Sequence, residues 1–82
     1  MFTILVDKPE DMIAALAKLN DEVAKAGGQV RGDAEAGEFE AQGVRGRYIV
    51  GETEIEIVIQ ESRFPQMMIE PYIKEMFRAI MR

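Results

Sequence analysis

The chain contains no cysteine and no histidine. Without cysteine there is neither a disulfide framework nor a thiol nucleophile, an absence that fits a reducing compartment. Without histidine, the commonest general base and the commonest transition-metal ligand are both missing. Long apolar runs are missing too. The opening stretch Phe2–Val6 is far too short for a signal peptide or a membrane span, so a cytoplasmic protein is expected. Positive charge is in deficit, with 10 Lys and Arg against 15 Asp and Glu. The resulting net charge of −5 favours solubility and disfavours a phosphate backbone, so no nucleic-acid partner is expected. Seven glycines are present, but none falls in the G-x-G-x-x-G or P-loop spacing that cradles phosphate.

What remains is a globular composition, 48 % hydrophobic and 30 % charged, in 82 residues. That length makes one domain, residues 1–82, near the small end of what folds alone. Such a chain buries only about 60–65 % of its unfolded surface. Its stability margin is therefore thin, or an oligomer completes its core.

The chain is organised around Gly43–Glu61. In Thr53–Glu61, Ile55, Ile57 and Ile59 alternate with Glu54, Glu56, Val58 and Gln60, the period-two pattern of a half-buried strand. Gly51-Glu52 suits a two-residue type II′ turn, and Gln42-Gly43 offers another turn upstream. These turns set Glu40 opposite Arg45 and Glu38 opposite Arg47. On the other side of Arg47 they place Glu56, and they place Tyr48 opposite Ile55. Phe39, Gly46 and Ile57 then share a row on the opposite face, where Gly46 permits a close approach of its large neighbours. The result is a three-stranded meander with a wet face and a dry one.

The flanks supply two helices and one more strand. Phe2–Val6 is largely apolar on both parities, so it is expected next to another strand and covered, not on a wet edge. Asp7-Lys8-Pro9-Glu10 resembles a helix start, with Asp7 as N-cap and Glu10 in capping-box spacing. Met12, Leu16, Leu19 and Val23, with Ile13 alongside, form the apolar stripe, and Gly27-Gly28 ends the helix. An acidic edge strand is expected within Ala34–Gln42, guarded by its glutamates. After Ser62-Arg63-Phe64-Pro65 a second helix is expected from about Ile69–Pro71, because proline suits a first turn. Its stripe is Ile69, Ile73, Met76 and Ile80, widened by Tyr72 and Phe77.

The order β-α-β-β-β-α predicts an α+β two-layer sandwich, a mainly antiparallel sheet with both helices on one face. The first strand joins either Thr53–Glu61 or the acidic strand. Pairing with a neighbour across the first helix would be parallel.

Few residues bear chemistry. Asp33, Glu35, Glu38, Glu40, Glu54 and Glu56 can in principle hold a hard cation or act as acid and base. However, alternation opposite arginines reads better as a solvated ladder. With nothing to activate a hydroxyl, no enzyme and no cofactor is expected. The least routine stretch is FPQMMIEPYIKEMFRAIMR, which carries Met67, Met68, Met76 and Met81 together with Phe64 and Phe77. Its methionines suit an adaptable apolar surface. An interface is expected at Phe64, Met67, Met68, Tyr72, Phe77 and Met81. The alternative is a small hydrophobic-ligand module with a pocket between helices and sheet near Gly46 and Tyr48.

Three places resemble the polyhydroxyalkanoic acid system protein family: the first helix ending in Gly27-Gly28, the hairpin Gly43-Val44-Arg45-Gly46 running into Thr53–Ile59, and the Phe64–Pro71 entry to the last helix. All are scaffold features. The resemblance implies a cytoplasmic, non-enzymatic accessory linked to polyester storage granules, touching the granule or a protein on it. Self-association as a homodimer or attachment to a hydrophobic granule surface are the partner expectations, and the family has no catalytic residues to carry across.

Overall fold

The computed structural model describes residues 1–80. Its elements are β1 (Phe2–Asp7), α1 (Met12–Lys25), β2 (Gln29–Gly32), β3 (Ala36–Ala41), β4 (Val44–Val50), β5 (Glu54–Ser62) and α2 (Gln66–Ile80). The five strands form one antiparallel sheet in the order β1-β5-β4-β3-β2. Both helices lie on one face, giving the expected α+β sandwich with one strand more than expected.

The core is the layer between. Ile55, Ile57 and Ile59 alternate inward from β5 and are all buried. Beside them lie Ile4 and Val6 of β1 and Tyr48 of β4. Ala15, Leu19 and Val23 of α1 and Ile69, Ile73 and Phe77 of α2 roof the layer. The helical residues recur at every fourth position, so each helix buries one stripe.

β1 does join β5 as the outermost strand, one of the two expected orders, but the pairing is antiparallel and the apolar Phe2–Val6 segment lies on an open edge. The other edge is β2, which carries no clear pattern in sequence. It forms because its partner is adjacent: Arg31 lies opposite Glu38 and Val30 opposite Phe39. Asp33 holds the connecting loop, its carboxylate accepting the N–H groups of Glu35 (2.8 Å) and Ala36 (3.1 Å).

Three local expectations change. The N-cap of α1 is Asp11, whose carboxylate accepts the Ala14 N–H at 3.0 Å. Asp7 instead extends β1 opposite Glu54, and the pairing continues through a Lys8 N–H to Thr53 C=O bond at 3.0 Å. The β4–β5 register slips by two, so Tyr48 faces Ile57 and Arg47 faces Val58. A four-residue loop replaces the type II′ turn, closed by the Gly51 N–H on the Glu54 C=O, and Gly51 lacks the positive φ that turn needs. A slip of two preserves every side chain's face. Finally, α2 begins at Gln66, leaving Pro71 inside the helix. Burying Ile69 on the same stripe as Ile73 and Phe77 requires that earlier turn.

Two inward glycines make room for aromatic rings. Phe39 lies across Gly46, where a Cβ would come within 2.7 Å of its Cζ. Tyr48 lies over Gly37 and reaches Gly32, and its hydroxyl donates to the Asp33 C=O at 2.8 Å. Burial, and then the Asp33 charge, push the Tyr48 hydroxyl above its ordinary pKa of 10.0.

Candidate functional site: an apolar cleft between the helix ends and a hairpin

Three chain reversals meet at one end of the helical layer. α1 stops at Ala26, and Gly27 turns left-handed at φ 80°. There the Gly27 N–H reaches the Ala24 C=O and the Gly28 N–H reaches the Val23 C=O, a Schellman closure. The β3–β4 hairpin turns on Gln42 and Gly43, both with positive φ, as a two-residue type I′ turn requires. The β5–α2 link is fastened to that hairpin by the Arg63 N–H on the Gly43 C=O at 3.3 Å. Ser62 Oγ accepts the Phe64 N–H at 3.0 Å and donates to the Phe64 C=O at 2.9 Å, which fixes where Phe64 stands.

Between these reversals is a cleft of about 260 Å³. Val23 and Ala26 form its α1 wall and Phe39, Ala41 and Val44 its floor. Phe64, Met68, Tyr72 and Met76 close the α2 side. Small residues leave the space: Ala26 and Ala41 stand where bulkier side chains would fill it. The polar side chains of the lining are Glu22, which pairs with Lys25 at 3.4 Å, Gln42 on the turn and Tyr72 with its hydroxyl.

Phe64, Met67, Met68 and Tyr72 are exposed around the start of α2, at 38, 80, 58 and 64 %. Phe64, Met68 and Tyr72 line the cleft, and Met67 stands outside it. Phe77 corrects the expectation, because it points into the core and is 5 % exposed. Its place one turn after Ile73 on the buried stripe explains why. Met81 lies outside the described residues. The pocket expected near Gly46 and Tyr48 is not where the cleft lies. Tyr48 is itself core, and the ring of Phe39 occupies the space over Gly46. Ala26, Ala41 and Val44 line the cleft without a signal in sequence, because an alanine announces a hollow only once its neighbours are placed.

Among the described residues, no group of three or more carboxylates could hold a metal ion, and no helix is long and apolar enough to cross a membrane. Asp33 is held below its ordinary pKa by the N–H groups of Glu35 and then Ala36, and it belongs to the β2–β3 loop. The cleft, walled mainly by apolar side chains, can enclose an apolar group. Compared with family models, curated proteins and solved structures, the chain matches none.

Proposed function

We propose that this chain is a small, non-catalytic cytoplasmic interaction protein whose working surface is the apolar cleft and its exposed rim at Phe64, Met68 and Tyr72. The cleft carries the reading: it is walled by apolar side chains, open to solvent, and bordered by methionines that adapt to the shape of what they meet. Its volume, about 260 Å³, falls below the roughly 300–1,000 Å³ of pockets that enclose drug-sized ligands. An inserted apolar side chain or alkyl segment from a larger partner fits better than a whole cofactor. The resemblance to polyhydroxyalkanoic acid system proteins supports a storage granule or a protein on its surface as that partner.

Co-sedimentation with amorphous polyhydroxybutyrate granules tests the granule partner. The wild-type chain is expected to pellet, and Met68→Glu, which puts a charge on the rim without touching the core, is expected to stay in the supernatant. Equal pelleting of both chains, or of neither, would overturn it.

The concave apolar lining also favours a second reading, a module for a small hydrophobic ligand. Calorimetric titration with decanoate should then give saturable heat that Met68→Glu abolishes, and no heat would dispose of it.

A further inference from the structure

The two edges of the sheet are not alike. β2 spans four residues, carries exposed Arg31, and ends at Gly32 with φ 148°, the short and charged kind of edge that resists pairing. β1 spans six, and its register with β5 runs without interruption from Phe2 to Asp7. Between Phe2 and Val6 it has no lysine, proline or bulge, and both of its parities are largely apolar. That is the sequence of a strand with neighbours on both sides, yet within one chain it has a neighbour on one.

The hydrogen-bond phase of that edge follows from a single contact. The Lys8 N–H bonds the Thr53 C=O, so Lys8 and Thr53 are a hydrogen-bonded pair. In an antiparallel ladder such pairs alternate with non-bonded ones. Val6, Ile4 and Phe2 therefore spend their N–H and C=O groups on β5, and Thr3, Leu5 and Asp7 aim theirs out of the sheet.

We propose that this edge pairs with β1 of a second copy, antiparallel, about a two-fold axis at Leu5. The outward set is spaced evenly around Leu5, so the rotation returns the set onto itself, as an isologous contact demands. Leu5 then meets the partner's Leu5 on the helix-free face, and Ile4 lies beside the partner's Val6 on the covered face. Asp7 meets the partner's Thr3, so no carboxylate faces another across the seam. About six backbone hydrogen bonds form, and Leu5, 55 % exposed in the single chain, is covered. Ten strands join into one sheet with two open β2 edges that are guarded against further growth.

One short strand against another buries far less than the roughly 1,200 Å² at which stable interfaces begin. Association should accordingly be reversible and concentration dependent. It should also strengthen with salt, which screens the repulsion between two chains of net charge −5.

Sedimentation velocity over a concentration series, together with amide hydrogen exchange, tests the proposal. In dilute protein, Ile4 and Val6 should be protected and Thr3, Leu5 and Asp7 should exchange freely. In concentrated protein, the second set should become protected as the dimer forms. Leu5→Lys should weaken dimerisation by about tenfold or more. Thr3→Pro, which removes an outward N–H and no bond to β5, should do the same, both variants keeping the wild-type circular dichroism. Two results would overturn the proposal: a chain that stays monomeric to about 1 mM, or a dimer that Leu5→Lys leaves intact. A dimer abolished by Met68→Glu and not by Leu5→Lys would assign self-association to the cleft instead, and would equally sink it.

Discussion

The helix-covered face of the sheet is solid at one end and hollow at the other. Along the row Ile4–Ile57–Tyr48–Gly37–Gly32, the one large aromatic lies across the two glycines, so the ring takes up the room they leave and the space closes. Its only polar atom is satisfied by the Asp33 carbonyl. Along the row Ala41–Val44–Ser62, small stands beside small, and Ala26 above does not compensate. The same scaffold thus gives a packed end where sizes are complementary and an open cleft where they are not. Interiors pack to crystal-like density, and the cleft marks where that packing stops.

The sharpest way to break the contrast is to hollow the packed end. Ile57 is fully buried under the helices, and Ile57→Ala should cost about 2–5 kcal/mol. For a domain of this size that is a large share of the total, and urea denaturation should show the midpoint fall steeply or the chain unfold. A smaller cut is Tyr48→Phe, which keeps the ring over Gly37 and removes only the hydroxyl. Losing that donor should cost roughly 1 kcal/mol. The sign with pH is also set. The native hydroxyl ionises above 10.0, so the unfolded chain releases its proton first and the wild type loses stability as pH rises past 10. The gap to Tyr48→Phe, measured by thermal melts, should narrow in that window.

The two ends were not equally legible. The packed end is written in alternation, since Ile55, Ile57 and Ile59 announce their strand, and the Gln42-Gly43 turn at the other end announces the β3–β4 pair, including Glu40 opposite Arg45 and Glu38 opposite Arg47. Gly46 beneath Phe39 was also readable, since an inward strand glycine invites a large neighbour. The register around Gly51 was not, because a two-residue and a four-residue loop keep the same faces and differ only in local backbone energy. β2 has one apolar residue and forms by pairing, a tertiary effect that propensity does not carry. Pro71 misled because burying Ile69 outweighs the proline's preference for a first turn. The methionines at the start of α2 suit either a core or a surface, and the structure leaves Met67 and Met68 exposed while it buries Phe77, because a widened stripe has no sharp border in sequence.

Between the two ends in expected effect is the loop that anchors Tyr48. Asp33 is ionised in the native chain at pH values where a free carboxylate would protonate, because the N–H groups of Glu35 and Ala36 point at it. A lowered native pKa contributes stability that is complete above 3.8 and is lost as pH falls below that value toward the native one. Asp33→Asn removes the titration. Its melting temperature should lie below the wild type near neutrality, and the difference should shrink on acidification below about pH 4. A constant difference across that window would mean the carboxylate's charge contributes nothing to the loop.

The mildest change should come from filling the hollow end. Ala41 lines the cleft floor beside open space, so Ala41→Leu can extend into the cavity without displacing a packed neighbour. Burying a few methylenes there gains at most about 1–2 kcal/mol, and less if the added group stays partly wet. Gly46→Ala offers the control. It adds a single methyl on the same face, but against the Phe39 ring at 2.7 Å and the Val58 carbonyl at 2.6 Å, so it must displace them and should destabilise. If the hollow is a binding site, the larger addition should leave stability unchanged or slightly raised and abolish binding of the apolar partner, and the smaller should lower stability. Ala41→Leu destabilising the chain as much as Gly46→Ala would show that the cleft closes in solution, and with it the difference between the two ends would disappear.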